Sequence, residues 1–206
     1  WEPAQARATC EKLCRMIKET AAERPDVILL PERAVPGVFN DRKSPAGRML
    51  RVCVAEAGVP VVAGALYEPR EGMQFNAAYF LQSGVTEEPL YLKQELFPLG
   101  EYIPGGVWIE EMVNKTEAYK KFPGLLGNQK YAARFSLADY LNSQWLRRGR
   151  ESRTFTLPGG VTFGTLICIE DIPEQYARAF RARGAQVLLV MTNDAWFRTT
   201  SILEQH

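Results

Sequence analysis

Three ionisable side chains lie beside stretches of the chain whose apolar pattern predicts burial. Glu32 follows the apolar run Val27–Leu30, Lys93 lies within YLKQELF, and Cys168 directly follows VTFGTLI. Burying a charge is costly unless it is paired, so a carboxylate, an ammonium and a thiol brought together would stabilise one another. The carboxylate can then accept the thiol proton as a general base, and the ammonium can stabilise a developing oxyanion. These residue types favour catalysis by a cysteine nucleophile, and they require no histidine.

The stretch Val161–Glu170 must position the cysteine. Both of its alternating residue sets are largely apolar, which predicts a strand covered on both faces. A helix is expected to follow, with Asp171 as its N-cap and Pro173 in its first turn. A thiol at such a junction is expected to have a lowered pKa, and the backbone N–H of Ile169 is a candidate second oxyanion donor. The alternative interpretation is that Cys168 is simply a small buried hydrophobe.

Helices and strands alternate along the rest of the chain and predict an α/β fold, a mixed sheet with helices on its faces. Apolar residues recur at helical spacing over Glu2–Arg24 and, after a capping Ser44, over Pro45–Ala57, where Gly58 provides a left-handed end. A helix over Pro173–Arg183 predicts a right-handed crossover to a parallel strand. The apolar runs that predict buried strands are Val27–Leu30, Val59–Leu66, Phe75–Gln82, Pro89–Phe97 and Val187–Thr192.

The composition argues against several classes of partner. A net charge of +1 over 206 residues gives no electrostatic reason to expect nucleic acid binding. The four cysteines form no CxxC pair and the single histidine is His206, so neither a metal site nor a cofactor is expected. The longest apolar runs are too short to span a bilayer. Because the chain starts at Trp1 and not at Met, we expect it to be a segment of a longer protein.

The stretch Val107–Arg153 differs from its surroundings, because it is charged and has no strand pattern. We interpret residues 1–206 as one partial domain with an insertion at about residues 107–153. The apolar residues scattered through the insertion fit two interpretations. One is a surface excursion that packs its own small cluster, and the other is a lid or an arm that contacts a membrane.

The sequence resembles a known family over nearly its whole length outside that insertion. The segments LLPERAVPG, GALYEP with FNAAYFL, YLKQELFPLGEYIP, FGTLICIED and LLVMTNDAWF occur in the order and spacing of the nitrilase, or carbon–nitrogen hydrolase, superfamily. Within it, PERAVPG and the NDAWF segment followed by Gln205 and His206 resemble the nitrilase-type domain of bacterial apolipoprotein N-acyltransferases. The resemblance implies a nitrilase-like α-β-β-α sandwich with mixed sheets, as a fragment lacking the first strand and the C-terminal strands.

The resemblance also implies roles for individual residues. Glu32 would be the general base, Lys93 the stabiliser of the transition state and Cys168 the nucleophile. Glu101, in the GEYIP element, matches an additional active-site glutamate, and Glu170 matches a position important in the acyltransferases.

Two further supporting positions follow from their places in the sequence. Ile169, beside the nucleophile, stands where the acyltransferases usually carry tyrosine. Trp196 follows a predicted strand end and is a candidate pocket-lining residue, although an Asx turn at Asn193 and Asp194 is the simpler account of that segment.

The implied reaction transfers an acyl group from a membrane phospholipid to Cys168 as a thioester, and then to the N-terminal amine of a lipoprotein. It would take place on the periplasmic side of the bacterial inner membrane, reached through segments absent from this sequence. One alternative is a soluble cytoplasmic amidase or nitrilase of the same chemistry, which acts on a small amide or nitrile with water as the acceptor. A second is a non-enzymatic scaffold in which Cys168 belongs to the core.

Overall fold

A computed structural model of the chain describes residues 2–98, 100–102 and 146–193. The chain divides into two compact units. The larger one combines Trp1–Glu95 with Arg147–His206, and the smaller one comprises Leu96–Leu146. All of the helices and strands described below belong to the larger unit.

The elements alternate much as the apolar pattern predicts. The predicted helix after Ser44 is confirmed: the Ser44 hydroxyl accepts a hydrogen bond from the N–H of Gly47, and Gly58 ends the helix with a φ of 68°. In chain order the elements are α1 (Pro3–Ala21), β1 (Ile28–Leu29), α2 (Pro45–Ala57), β2 (Val61–Arg70), β3 (Met73–Leu81), β4 (Leu90–Leu92), β5 (Phe155–Thr156), β6 (Thr162–Ile167), a 3₁₀ turn (Cys168–Asp171), α3 (Glu174–Ala182) and β7 (Val187–Met191).

The first sheet has the strand order β1-β2-β3-β4 and separates two cores. β1 is parallel to β2, and β2, β3 and β4 pair antiparallel in sequence. Successive side chains of a strand point to opposite faces, so Ala63 faces the core shared with α1 and α2, while Val62 faces the other core. The same alternation on β3 sends Tyr79 to the helices and Phe80 to the opposite side.

The second sheet has the order β5-β6-β7 and packs against the first. The ring of Phe80 on β3 lies 5.5 Å from the ring of Phe155 and 5.3 Å from that of Phe163. The parallel crossover predicted after Cys168 is confirmed, because β6 and β7 pair in parallel and α3 connects them. Phe180 of α3 lies directly against Gly164 of β6. The predicted mixed α/β architecture with two layered sheets is therefore present.

Two local expectations are wrong. The chain after β6 turns through the 3₁₀ segment before α3 begins, so Pro173 and not Asp171 is the N-cap of that helix. The strand β7, predicted to be buried, is largely exposed, and only its last residue, Met191, is buried. Residues on both faces contribute to this exposure: Val187, Leu188 and Val190 keep 44%, 39% and 43% of their surface exposed.

Residues 107–145 of the predicted insertion lie outside the described residues, while residues 147–153 belong to the larger unit. The N–H of Arg147 donates to the carbonyl of Gln74 at 2.7 Å, and the N–H of Gly149 donates to the carbonyl of Lys93 at 2.7 Å. Among the helices within the described ranges, none combines the length and the apolar character that crossing a bilayer requires.

Candidate active site

Glu32 is held where the chain leaves β1 and lies against β2. Gly64 of β2 permits this contact: a Cβ on that residue would lie 2.6 Å from the nitrogen of Arg33 and 2.8 Å from the Cα of Glu32. Arg33 itself has a φ of 49°, in the left-handed region that residues other than glycine rarely adopt. The glutamate is 6% exposed, so its carboxylate is withdrawn from solvent.

Lys93 follows the last residue of β4 and reaches this carboxylate. Its Nζ lies 3.1 Å from Oε1 of Glu32, and the two side chains are 1% and 7% exposed. Removing one partner of such a buried ion pair leaves an uncompensated charge and typically costs about 3–5 kcal/mol. The acid and the amine predicted from sequence are thus brought together as a buried pair.

Asn76 joins the pair from the middle of β3. Its Nδ2 donates to Oε1 of Glu32 at 2.6 Å, and its carbonyl accepts the N–H of Lys93 at 2.9 Å. The residue is fully buried. The motifs predicted no role for Asn76, although an amide inside the apolar run FNAAYFL is a signal that points to it.

Cys168 stands at the turn directly after β6. Its φ of 54° is in the left-handed region, a strained conformation for a residue with a side chain, and the residue is 7% exposed. Burial raises the pKa of the thiol most strongly, while the charge of Lys93 lowers this pKa and that of Glu32 raises it. The net pKa is raised, so the lowered thiol pKa expected from the sequence is wrong: desolvation outweighs the nearby cation.

Two hydrogen-bond donors also act on the sulfur of Cys168. They are the backbone N–H of Ile169 and the hydroxyl of Thr192, and each lowers the pKa of the thiol. Ile169 lies in the 3₁₀ turn and Thr192 directly follows β7. The sequence pointed to Ile169 but missed Thr192, because only the parallel pairing of β6 with β7 brings Thr192 to the turn.

Glu170 ties the turn that carries Cys168 to the segment that carries Lys93. It is fully buried. Burial raises the pKa of its carboxyl, and hydrogen bonds to the carboxylate oppose the shift. The donors are the N–H groups of Ile167 at 2.8 Å, Gln94 at 2.6 Å and Glu95 at 3.2 Å, and the hydroxyl of Tyr91 at 2.8 Å. Through these contacts the glutamate fixes the backbone on both sides of the site.

The last two predicted site residues are Glu101 and Trp196. Glu101 belongs to the smaller unit, where its carboxylate accepts the N–H of Phe97 at 2.8 Å. Its active-site role stays a prediction. Trp196 lies outside the described residues, as do Asp194 and His206.

The described residues hold no group of His, Cys, Asp and Glu side chains arranged to bind a metal ion. What they do bring together is a thiol under the influence of one buried carboxylate and one buried ammonium. This set can transfer the thiol proton to the carboxylate and stabilise negative charge on an attacked carbonyl oxygen. Such an arrangement suits a covalent thioester mechanism.

Comparison with known proteins gives apolipoprotein N-acyltransferases among the relatives by sequence. The apolipoprotein N-acyltransferase of Aquifex aeolicus is 28% identical over 196 residues, which cover 95% of this chain and 37% of that protein. The apolipoprotein N-acyltransferase of Haemophilus ducreyi is 28% identical over 206 residues, covering 96% of this chain and 35% of that protein. The chain therefore spans little more than a third of the length of these relatives.

Solved structures of the nitrilase superfamily share the fold. An amidase from Nesterenkonia sp. AN1, solved with acrylamide added at its active site cysteine, has a TM-score of 0.61 at 15% identity, and the match covers 96% of this chain and 65% of that one. Nit3 of Saccharomyces cerevisiae has a TM-score of 0.58 at 14% identity over 91% of this chain and 59% of that one. The family model described as carbon–nitrogen hydrolase matches residues 2–206. With that match over essentially the whole sequence, the chain belongs to the carbon–nitrogen hydrolase family.

Proposed function

We propose that this chain forms the catalytic part of an acyltransferase that works through a thioester on Cys168. Glu32 is the general base and Lys93 stabilises the oxyanion. The observation that carries the proposal is the buried Glu32–Lys93 pair, whose two charges both act on the thiol. A buried thiol with no chemical role has no need of an ion pair beside it, since buried charges are costly.

The first half-reaction acylates the enzyme. As the sulfur of Cys168 attacks the carbonyl carbon of an ester, the thiol proton passes to the carboxylate of Glu32. The ammonium of Lys93 and the N–H of Ile169 stabilise the oxyanion. When the carbon–oxygen bond breaks, the leaving alcohol takes the proton from Glu32 and the acyl group remains as a thioester.

The raised pKa of the Cys168 thiol explains why a base is needed. Burial raises the pKa of the Cys168 thiol and so disfavours a preformed thiolate. The proton must therefore leave during the attack. A positioned carboxylate increases the rate of such a step by about 10²–10⁴-fold. Glu32 supplies that carboxylate.

The second half-reaction transfers the acyl group to an amine. The amine attacks the thioester, Glu32 takes its proton, and the sulfur leaves and is reprotonated to the thiol. From the name of the sequence relatives we propose the N-terminus of a lipoprotein as the acyl acceptor. From the family resemblance of the motifs we propose a phospholipid as the acyl donor. We further propose that the site works on the periplasmic face of the bacterial inner membrane.

The test is to trap the thioester on the full protein. Purified protein is mixed with phospholipid carrying a labelled acyl chain, and label is counted on the protein before and after treatment with neutral hydroxylamine. We expect hydroxylamine-sensitive label that is lost in Cys168→Ala and retained in Cys53→Ser, which alters another buried free thiol. Label that survives in Cys168→Ala would overturn the proposal.

The acceptor is tested separately with the acylated protein. Chase with a lipopeptide that has a free N-terminal amine should release the label as an amide, faster than buffer alone releases a fatty acid. If buffer releases the label as fast as the lipopeptide does, and the protein hydrolyses small amides, then the protein is a hydrolase and not a transferase. A chemistry with water as acceptor would use the same three residues.

A further inference from the structure

We infer that Asn76 is a positioning residue for the reaction, one that fixes the general base against the nucleophile. The inference rests on the proposed function. Asn76 touches both members of the buried pair: its side-chain amide donates to Oε1 of Glu32 at 2.6 Å, and its carbonyl accepts the N–H of Lys93 at 2.9 Å. A single residue thereby sets the acid and the amine relative to one another.

The place of Asn76 in the sheet explains why it can do this. β3 lies between β2 and β4, and Asn76 pairs with Leu66 of β2 while its carbonyl continues the pairing toward the β4 side. Glu32 lies on β2 through the close contact at Gly64, and Lys93 follows β4. The strand order therefore puts the amide between the two catalytic segments.

The geometry also selects which carboxylate oxygen is engaged. The amide of Asn76 and the ammonium of Lys93 both donate to Oε1 of Glu32. These two donors on one oxygen restrict the rotation of the carboxylate and so hold the proposed base in one orientation. An amide achieves this without adding charge, whereas an acid at the same place would put two carboxylates in contact.

We therefore expect the site to require both the size and the uncharged amide of the Asn76 side chain. Asn76→Asp keeps the size of the side chain and replaces the donor by an acid. Asn76→Ala removes the donor and leaves Lys93 as the one remaining partner described for Oε1. A matched control exists on the same strand: Gln74 is also buried and donates its amide to Oε2 of Glu68 at 2.5 Å, away from the triad.

The experiment measures thioester formation in the full protein at several phospholipid concentrations. Because misplacing a catalytic group by about 1 Å can cost about 10²-fold, we expect Asn76→Ala and Asn76→Asp to lower the maximal acylation rate by about 10²-fold. The phospholipid concentration at half-maximal rate should stay within twofold. Gln74→Ala should acylate at the wild-type rate. Wild-type maximal rates in both Asn76 variants would overturn the inference.

A second measurement does not depend on acyl transfer. The pH dependence of iodoacetamide alkylation reports the pKa of the Cys168 thiol, which the negative charge of Glu32 raises. Asn76→Asp brings a further acid to the site and should move this profile to higher pH, whereas Gln74→Glu should leave it in place. An unmoved profile in folded Asn76→Asp protein would count against the inference, while absence of a wild-type thioester would instead defeat the proposed function.

Discussion

The contact between Gly64 and the chain after β1 yields the sharpest prediction. A Cβ placed on Gly64 would lie 2.8 Å from the Cα of Glu32, and ordinary contact begins at 3.4 Å. The nearest atom is the carbonyl oxygen of Pro31, and the atoms around the Cβ belong to backbone and not to a flexible side chain. Gly64→Ala must therefore displace the segment that carries Glu32 by about 0.6–1 Å or open the β1–β2 pairing. Either response changes the position of the proposed base.

The size of the effect follows from two terms. Overpacking a well-packed site costs about 1–3 kcal/mol of folding free energy. A backbone shift of this size is also enough to take the 3.1 Å contact between Lys93 and Glu32 out of hydrogen-bond range. Because about 1 Å of misplacement can cost about 10²-fold in rate, we expect an acylation rate lowered by one to two orders of magnitude.

The assay pairs a urea melt with the acylation rate of the full protein. Gly159→Ala is the control, because a Cβ there meets no atom within 4 Å. It should change neither quantity. If Gly64→Ala acylates within twofold of wild type and melts at the same urea concentration, then the close backbone contact does not position Glu32 and the reasoning fails.

For three further substitutions the structure predicts the direction of the effect. Thr192→Val removes a donor that lowers the pKa of Cys168, so iodoacetamide alkylation should move to higher pH, whereas Thr156→Val should leave it unchanged. Glu32→Gln removes a charge that raises the same pKa, so alkylation at a fixed pH should become faster while thioester formation falls about 10²–10⁴-fold. Glu170→Gln replaces an oxygen acceptor by an amide donor in a fully buried network, and a urea melt should show a loss of about 1–3 kcal/mol.

The meeting of Glu32 with Lys93 could be predicted because each residue type conflicts with its own surroundings. A charged side chain at the end of an apolar run must find a partner, and the ends of neighbouring strands are where partners are near. The thiol of Cys168 does not conflict with an apolar surrounding in this way, since a free cysteine is commonly buried in a protein core. Its assignment depended on the resemblance to a family and on the order of the motifs.

The contributions of Asn76 and Thr192 could not be predicted in the same way. Each acts across a strand pairing whose register appears only in the folded sheet: Asn76 through β2 and β4, Thr192 through β6. The raised pKa of Cys168 has a similar origin. Sequence gives the charges near a thiol, but the desolvation that outweighs them depends on what packs around it.

Backbone strain shows how the site is held in place. Cys168 has a φ of 54° and Arg33, next to the proposed base, has a φ of 49°. Such conformations cost about 1–3 kcal/mol each and persist only where the surroundings fix them. At the cysteine, Glu170 fixes the turn by accepting the N–H of Ile167. At the glutamate, the tight fit on Gly64 does the same. Both loops are therefore held partly by contacts from outside, so substitutions at Gly64 or Glu170 should lower the acylation rate although neither residue belongs to the triad.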